Sequence, residues 1–523
     1  MRIVSMNTFI IYPNTLFYDI KPMLSNYDLI YVVEDPTFFV SHNYHKLKLI
    51  LHRSSMKYYK DYLSRSLKNV VYINFAEATN IWYKCLAKSE LKLTIFDPLN
   101  KSLVDKLNKY FVDNLIVLSS PQFLTTKLQL DDYHTKHVHN NDYSFTKFYR
   151  WQRKRLGVLV NAKGKPSGGK WMYNSKRMLK YNKDDHYHIF DYNMKIDELV
   201  GDKYVNEAKR YVNHYFGGNY GSDKLFVYDY TPEMAKASFD SFLANRLHGY
   251  AKHNNSIEPD VDVGFHSMVS HALNIGIITP SYILEKTLLS KLPAKCIEYF
   301  VRQIIGRREY ARFIYIYEGE LLRNTNQWEA TNKLSNYWWS NNKYMHKYIL
   351  DVEDNSRDTL GVSNLFDERV MCAYLSHVIL PLDVALGKVY NIAYASNEER
   401  FAIIGRLMFM LQVDPNEVYR WFMSCTIDAY DWVVVPNVYG VSQMSCASLK
   451  LCSKSMLYGK SDEISKLSSY SSKHSWAKQW DLIYYNFVLS KLGKYINPYK
   501  RYKLNQNKKA YDELLGKLID NNY

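Results

Sequence analysis

The first 117 residues alternate between short β-type runs and helical stretches, and no other feature of the sequence constrains the fold as strongly. The β-type runs are rich in Ile, Val, Leu, Tyr and Phe; they read RIVSMNTFII, LIYVVED, VVYINF, LKLTIF and LIVLSS. A long helical stretch, KLKLILHRSSMKYYKDYLSRSL, separates the second run from the third. Strands that alternate with helices form βαβ units. The sequence therefore predicts an α/β domain with a parallel sheet over residues 1–120.

The second half of the chain has a different period. Residues 203–500 carry long amphipathic patterns, among them YVNEAKRYVNHYF, FVRQIIGRREYARFIYIYEGELLRN and AKQWDLIYYNFVLSKL. Apolar residues spaced at three and four positions indicate helices, so we expect a large all-helical domain here. Polar, His-rich and Gly-rich stretches lie between, over residues 121–202, and we interpret them as an interdomain connection that crosses the surface. Residues 501–523 are expected to form a tail with one last helix.

Composition limits the class of protein and its partners. The chain has 523 residues, a formal net charge of +16 and 47% hydrophobic residues, and it contains no apolar run long enough for a membrane span. We therefore expect a soluble, intracellular protein. A strongly basic chain suits a polyanion such as nucleic acid, although a solvated surface explains the charge equally well. The abundant Lys, Asn and Tyr are typical of an AT-rich genome, such as that of a large DNA virus, which would place the protein in the host cytoplasm or the virion.

Histidine, cysteine and glycine spacing gives no sign of a metal or nucleotide motif. The chain has six cysteines without CxxC spacing, and we expect reduced thiols. The histidines of HTKHVHN (His134, His137, His139) and of DDHYH (His186, His188) lie in loop-like stretches without a helical HExxH pair, so we interpret them as exposed linker residues. The string PSGGKW lacks the remainder of a P-loop and is expected to form a basic turn.

Three segments carry candidate chemistry. In GFHSMVSHALNIGIITP, Ser267 and Ser270 stand where a loop enters an apolar helix, and they serve either as helix caps or as ligands of a diphosphate. In FVRQIIGRREYARFIY, Arg308 and Arg312 share one helix face, opposite an isoleucine face. The third segment, RWFMSCTIDAYDWVVVPNVYG, surrounds Asp428 with aromatic residues that are either core or carriers of an electron hole.

Together these segments resemble the helical flavin domain of the cryptochrome and photolyase family, and most closely the branch of iron-sulfur bacterial cryptochromes and photolyases. The resemblance also includes HKLKLILHRSSMKYYKDYL, FYRWQRKRLGVL, KPSGGKWMY, EVYRWFM and WDLIYYNF, in the order expected for the branch. It implies a Rossmann-like N-terminal domain followed by an all-α FAD-binding domain. It also implies a photolyase-type lyase that passes an electron from reduced, photoexcited FAD to a pyrimidine dimer flipped out of ultraviolet-damaged DNA.

The resemblance assigns roles residue by residue. Cofactor-binding roles fall on Ser267, Ser270, Asn274, Gln303, Arg308, Arg400, Asp428 and Asn437, with Asp428 paired to Arg400. Catalytic roles, in lesion contact or electron transfer, fall on Asn397, Trp421 and Tyr430. An antenna pigment, a lumazine in this branch, would lie near Asn14 and Glu34 in the α/β domain. A monomer is expected.

The sequence departs from the branch at several positions. Two positions that normally hold cluster cysteines read Ser471 and His474, so we expect no iron-sulfur cluster and no other metal. The His-His pair that (6-4) repair uses as a proton donor reads Ser396-Asn397, which favours cyclobutane dimers over (6-4) products. Arg307 replaces a Trp, and Phe422 replaces an aromatic that relays electrons.

These departures leave three hypotheses open. The first is a photolyase-type enzyme, and the second is a cryptochrome-like light sensor or noncatalytic flavoprotein. The third is a scaffold that binds nucleic acid without flavin.

Overall fold

The computed structural model of the chain describes residues 6–89, 91–173, 199, 201–339, 379–452, 458–492, 503 and 505–509. Cys372, His186, His188 and most of the predicted tail lie outside the described residues.

A five-stranded parallel sheet forms the core of the N-terminal domain. The strands are β1 Asn7–Ile11, β2 Leu29–Val33, β3 Val70–Ile73, β4 Lys92–Phe96 and β5 Leu115–Leu118. Their order in the sheet is β3-β2-β1-β4-β5, and every neighbouring pair is parallel. Each β-type run of the sequence became one strand, so the predicted α/β domain with a parallel sheet is confirmed.

Helices connect these strands. They are α1 Lys21–Leu24, α2 Pro36–Phe39, α3 Lys46–Ser64, α4 Asn80–Ala87 and α5 Lys101–Tyr110. Side-chain oxygens of Asp35, Thr79 and Asn100 accept backbone amide hydrogens at the starts of α2, α4 and α5. Such caps satisfy amides that have no partner within the helix, and they fix where each crossover begins.

The part of residues 121–202 that the structure describes contains packed helices, α6 Lys127–His137 and α7 Phe145–Arg155. Thr126 and Gln129 form a capping box at the start of α6. Tyr149 and Arg153 of α7 are fully buried. Their polar groups are satisfied there, since the Tyr149 phenol donates to Glu298 and the Arg153 guanidinium donates to backbone carbonyls. Residues 127–155 therefore form packed helices and do not simply cross the surface, while the predicted bounds of the connection, 121–202, stay a prediction. His134, expected in a linker, lies in α6 and stacks on Tyr317.

The remainder of the described chain is built mainly from helices. They are α8 Lys203–Phe216, α9 Pro232–Asn245, α10 Leu247–His253, α11 Ser270–Ile275, α12 Pro280–Leu289, α13 Ala294–Val301, α14 Glu309–Arg323, α15 Leu380–Ile392, α16 Arg406–Met410, α17 Pro415–Cys425, α18 Asp431–Val435, α19 Ser461–Leu467 and α20 Ser475–Phe487. Four π-helical turns interrupt or extend them, at Arg302–Arg308, Glu399–Gly405, Pro436–Ser442 and Val488–Leu492. The predicted all-helical second half is confirmed. Within the described ranges, no helix is long and apolar enough to span a membrane.

The two halves share a core. One cluster of buried side chains runs from β1 through α3 and α8 to Trp432 in α18. At the seam, the Leu16 amide donates to the Ile275 carbonyl over 2.9 Å, and the His45 amide donates to the Ser424 carbonyl over 2.7 Å. The candidate residues of the helical half therefore lie against the sheet domain, and α3 is the helix that reaches them.

Candidate functional site

An ion pair between Arg400 and Asp428 lies at the centre of the candidate site. Nη1 of Arg400 lies 2.9 Å from Oδ1 of Asp428, and the two side chains are only 16% and 14% exposed. Nε of Arg400 donates to the Ala395 carbonyl over 2.8 Å. Burial acts to raise the pKa of Asp428, but the charge and hydrogen bond of Arg400 and a hydrogen bond from Ser270 outweigh it, so the pKa lies below its usual value. Asp428 is therefore a carboxylate at neutral pH.

A loop and a short helix add polar groups around this pair. Helix α11 begins at Ser270, whose hydroxyl hydrogen-bonds to Asp428. Nδ2 of Asn274, on the same helix, donates to the backbone carbonyl of Asp428 over 2.9 Å. Ser267 is half-buried on the preceding loop, next to Met268, whose φ is 60°. The predicted pair of serines therefore lies where loop and helix meet, with Ser270 in contact with the ion pair.

Arg308 also lies at the site, at the end of the π-helical turn that precedes α14. Its Nη1 donates to Oδ1 of Asn274 over 2.5 Å. Its guanidinium lies 4.9 Å from the ring centre of Phe123 and 4.7 Å from that of Trp432. Burial lowers the pKa of Arg308 to about 10, so the side chain keeps its charge at neutral pH.

Other arginines of the segment Phe300–Tyr315 contact neighbouring segments of the protein. Arg302 bonds Glu298 and the Tyr173 carbonyl, while Arg312 donates to the carbonyl of Thr125. Arg307 is exposed, over the ring of Phe145. The guanidiniums therefore fix the connecting helices against the helical domain, while Ile304 and Ile305 enter the core as the sequence predicted.

Four predicted residues stand apart from this cluster. Gln303 and Asn437 are half-buried, and each amide nitrogen donates to a carbonyl of its own helix, at Tyr299 over 3.4 Å and at Val433 over 2.8 Å. Asn397 is exposed, one turn before Arg400. Trp421 is fully buried and donates to the Trp338 carbonyl over 2.8 Å.

Four of the predicted residues lie on π-helical turns that the sequence analysis did not predict: Gln303, Arg308, Arg400 and Asn437. Each turn contains a glycine whose missing side chain allows a close approach: a Cβ would lie 3.0 Å from the Tyr149 ring at Gly306, and 2.3 Å from the Ser442 hydroxyl at Gly405. Single π turns often occur at functional sites, because the extra residue redirects side chains. The repeated string Ile-Ile-Gly-Arg, at Ile304–Arg307 and Ile403–Arg406, was the available signal.

Two residues of α3 reach the site from the other domain, and sequence reasoning did not select them. Nζ of Lys48 donates to the carbonyl of Ala429 and lies 5.0 Å from the ring centre of Tyr430. Nε2 of His52 lies 2.8 Å from the Tyr430 hydroxyl. Both side chains are buried, and burial lowers the pKa of Lys48 to about 7 and holds that of His52 well below its usual value. His52 is therefore neutral at pH 7.

The low pKa of Lys48 predicts a pH-dependent stability. The unfolded chain binds its lysine proton up to the ordinary pKa of 10.5, whereas the folded chain releases it above about 7. Stability should therefore rise with pH inside this window, by up to about 1.4 kcal/mol per pH unit. Lys48→Met removes this rise, and urea unfolding of both proteins across the window measures it. The exposed Lys466→Met is the control, and equal slopes for Lys48→Met and wild type would contradict the prediction.

The two predicted antenna residues are engaged by the protein itself. Glu34 is fully buried and accepts hydrogen bonds from Arg53 at 2.8 Å, Tyr72 at 2.5 Å and Tyr211 at 3.0 Å. Nδ2 of Asn14 donates to the carbonyl of Pro98 over 2.8 Å. Glu34 thus holds α3, β3 and α8 together, and the role of both residues beside an antenna pigment stays a prediction.

The positions that replace the branch's cysteines form an ordinary turn. The amide of His474 donates to the carbonyl of Ser471 over 3.2 Å, just before α20. Cys85, Cys296, Cys425, Cys446 and Cys452 are free thiols. Within the described residues, no group of three or more His, Cys, Asp or Glu side chains is placed to hold a metal ion.

Comparison with known proteins identifies the family. The family model for deoxyribodipyrimidine photo-lyase-related protein matches residues 9–228. A (6-4) photolyase of Agrobacterium fabrum is 24% identical over 302 residues, which are 57% of this chain and 52% of that protein, so the chain spans about half the length of this relative. An uncharacterized protein of Acanthamoeba polyphaga mimivirus is 31% identical over 194 residues, covering 34% of this chain and 93% of that protein.

The fold agrees with this match. A crystal structure of a Synechocystis cryptochrome covers 98% of this chain and 100% of its own, with a TM-score of 0.52 and 14% sequence identity. The sheet domain and the helical domain described above therefore form the photolyase and cryptochrome fold. The chain belongs to the photolyase-related branch of the photolyase and cryptochrome family.

Proposed function

We propose that the protein binds FAD in its helical domain and uses light to drive electron transfer to cyclobutane pyrimidine dimers in DNA. The observation that carries the proposal is an unsatisfied hydrogen-bond donor of Arg400. Its Nη2 atom is buried and has no hydrogen-bond partner among the described residues, although its other nitrogens bond Asp428 and Ala395. A buried donor without an acceptor is costly, and a flavin carbonyl or anionic oxygen would satisfy it.

The surrounding side chains suit a flavin in charge and in polarity. Arg400 and Arg308 supply positive charge, while Asp428 and Asn274 offer a hydrogen-bond acceptor and fix both arginines in place. Ser267 is half-buried and is proposed to bind the diphosphate. When bound and photoexcited, FAD supplies the one-electron chemistry, and the chain's residues orient it and exclude water.

The lesion preference rests on Ser396 and Asn397. Ser396 is held in place by Glu399, whose Oε2 accepts the Ser396 amide hydrogen over 2.8 Å. Asn397 is exposed beside it, and its amide can hydrogen-bond to a thymine carbonyl but cannot deliver a proton. Repair of a (6-4) product needs such a proton, so a cyclobutane dimer is the proposed substrate.

The basic surface supports DNA as the partner. Helix α7 places exposed Arg150 and Lys154 at 5.5 and 5.6 Å from the ring centre of Trp171. Cations held beside an aromatic ring can contact phosphates while the ring stacks on a base.

A light sensor without repair activity is the second candidate. Phe422 favours it, because this ring lies 5.0 Å from that of Trp421 at a position where the family relays electrons. Phe is much harder to oxidise than Tyr or Trp, so the usual relay is interrupted. Repair of a dimer-containing oligonucleotide under blue light, but not in the dark, separates the enzyme from the sensor.

The absorption spectrum of the purified protein tests flavin binding. After incubation with FAD and removal of free cofactor, we expect structured flavin bands that bleach under blue light with a reductant. Flat absorbance would contradict both flavin proposals and leave the nucleic-acid scaffold as the function of the chain.

Ser267→Asp tests the diphosphate assignment. The new carboxylate would stand against an anionic diphosphate, and we expect the affinity for FAD to fall by about tenfold or more. Titration of the flavin-free protein with FAD, followed by flavin fluorescence, measures the change. Ser102→Asp, at an exposed position in the first turn of α5, is the matched control. Unchanged affinity in Ser267→Asp would refute the assignment.

A further inference from the structure

An exposed asparagine stands on a turn whose backbone is held by hydrogen bonds. Asn397 is the first residue of a helical turn, and Ser396, the residue before it, is buried. Ser396 and Glu399 form a capping box: Oε2 of Glu399 accepts the Ser396 amide hydrogen over 2.8 Å, and the Ser396 hydroxyl oxygen accepts the Glu399 amide hydrogen over 3.2 Å. The Arg400 amide donates to the Ser396 carbonyl over 2.9 Å. The backbone on both sides of Asn397 is therefore fixed, and residues 396–400 are called the Asn397 turn.

A buried lysine holds the carboxylate of this capping box. Nζ of Lys388 lies 2.7 Å from Oε1 of Glu399, and the two side chains are only 4% and 3% exposed. The same nitrogen donates to the carbonyls of Glu258 and Val261, over 2.9 and 2.8 Å. An ammonium group has three hydrogens, so every donor of Lys388 is used. Because a buried charge that loses its partner is costly, Glu399 cannot turn away from Lys388, and the Asn397 turn keeps its place.

A small cavity lies between the Asn397 turn and residues 256–266. It has room for about one water molecule, and Ser396 and Glu399 form part of its wall. Glu258 and His266 also line it, and their Oε1 and Nε2 atoms are buried without a hydrogen-bond partner among the described residues. The cavity is therefore polar, and side chains do not pack closely against the turn on this side. The hydrogen bonds of Glu399, and not apolar contacts, fix the turn here.

We propose that Glu399 is a positioning residue for lesion recognition, which together with Lys388 fixes the turn that presents the Asn397 amide and so gives the protein its preference for damaged DNA. The proposal rests on the proposed function, in which Asn397 hydrogen-bonds to a thymine carbonyl of the dimer. Because the backbone of the Asn397 turn is already fixed, it loses little conformational freedom when the lesion binds. Undamaged DNA keeps its bases stacked and is held through its phosphates, so its affinity should not depend on Glu399.

Binding of DNA in the dark tests the proposal. The FAD-loaded full chain is titrated into an oligonucleotide with one cyclobutane dimer and into the same oligonucleotide without damage, and fluorescence anisotropy gives the two Kd values. The double variant Lys388→Met with Glu399→Leu removes both charges of the ion pair, so we expect the fold to persist. Its Kd for the dimer should rise about tenfold, whereas its Kd for undamaged DNA should stay unchanged.

A second double variant, Lys388→Met with Glu399→Gln, is the conservative counterpart. The glutamine oxygen can still accept the Ser396 amide hydrogen, so we expect the preference for the dimer to stay within about threefold of wild type. Hydrogen exchange followed by mass spectrometry on the DNA-free protein reports on the turn directly. Amide hydrogens of the Asn397 turn should exchange about tenfold faster in the Glu399→Leu double variant than in wild type, and at close to the wild-type rate in the Glu399→Gln double variant.

Glu298→Gln is the control for a general loss of stability. Glu298 is completely buried on α13, and it pairs with Arg302 at 2.7 Å. It also accepts hydrogen bonds from the Tyr149 phenol and the Tyr173 amide, and all three partners lie outside the Asn397 turn. This variant should therefore be less stable than wild type, while its preference for the dimer and the exchange of the turn should stay unchanged.

The outcomes separate this proposal from the proposed function. Equal dark affinities of wild type for damaged and undamaged DNA would overturn both. A wild-type preference that persists in the Glu399→Leu double variant, or that Glu298→Gln also removes, would overturn the role of Glu399 and leave the proposed function standing. Loss of FAD loading in the Glu399→Leu double variant would overturn that role as well, because Glu399 would then act through Arg400 at the flavin site.

Discussion

Glu34→Gln is expected to lower the free energy of unfolding by about 2 to 3 kcal/mol, because it removes the charge of the buried carboxylate that pairs with Arg53, which then retains only Glu207 as a partner among the described residues. The side chains of Glu34 and Arg53 are almost inaccessible, at 0% and 7% exposure. Glu34 also accepts from the Tyr72 and Tyr211 hydroxyls and from the Phe75 amide. A neutral amide can accept some of these hydrogen bonds, but its NH₂ group faces other donors, and Arg53 keeps only the ion pair with Glu207, whose side chain is 38% exposed.

Urea unfolding of pigment-free protein measures this effect. The matched control is Glu320→Gln, which breaks an ion pair with Lys101 whose partners are 74% and 64% exposed. We expect the control to change stability by less than about 1 kcal/mol. If Glu34→Gln behaved like the control, Glu34 would not be a structural residue, and its assignment to an antenna pigment would gain support.

The sheet and the helices were predictable because their signals are local. Each strand is a short apolar run, and amphipathic spacing indicated the long helix around Gly306. The pairing of Arg400 with Asp428 also came from the sequence, through resemblance. Where a motif fixes both the residue type and the neighbours on one segment, local information is enough.

Other parts of the site depend on contacts between distant segments. Lys48 and His52 belong to a helix of the sheet domain, and nothing in their spacing shows that they face Ala429 and Tyr430. His134 of α6 was misjudged for a related reason, since it is held by Tyr317 from a distant helix. Side chains whose partners lie on another domain cannot be assigned from hydrophobic periodicity, because the period reports which face is buried and not what it is buried against.

The arginines of the segment Phe300–Tyr315 also show that the sequence does not reveal which group a buried charge contacts. The resemblance assigned Arg308 to the flavin, and Arg308 contacts the candidate site, whereas Arg302 and Arg312 bond to other parts of the protein. Arg312 is 3% exposed and donates to a backbone carbonyl of the connection. A buried guanidinium is costly unless its donors are satisfied, and a backbone carbonyl of the packed connection accepts from one of the Arg312 nitrogens.

Arg400→Gln is the sharpest test of the candidate site, and we expect two separable effects. Without the guanidinium, the buried Asp428 carboxylate loses its partner, and stability should fall by about 2 to 3 kcal/mol, less than for a fully buried pair because both groups are partly exposed. The affinity for FAD should fall by about tenfold or more, because a donor to the flavin is removed.

The double variant Arg400→Gln with Asp428→Asn separates these effects. Removing both charges eliminates the unpaired carboxylate, so most of the lost stability should return, whereas FAD affinity should remain low. Urea unfolding and flavin fluorescence titration measure the two quantities. Arg420→Gln, which removes a half-exposed guanidinium paired with Glu417, should change neither. Full recovery of FAD binding in the double variant would show that Arg400 serves only to neutralise Asp428. The flavin would then have to be held by Arg308, Ser267 and Ser270.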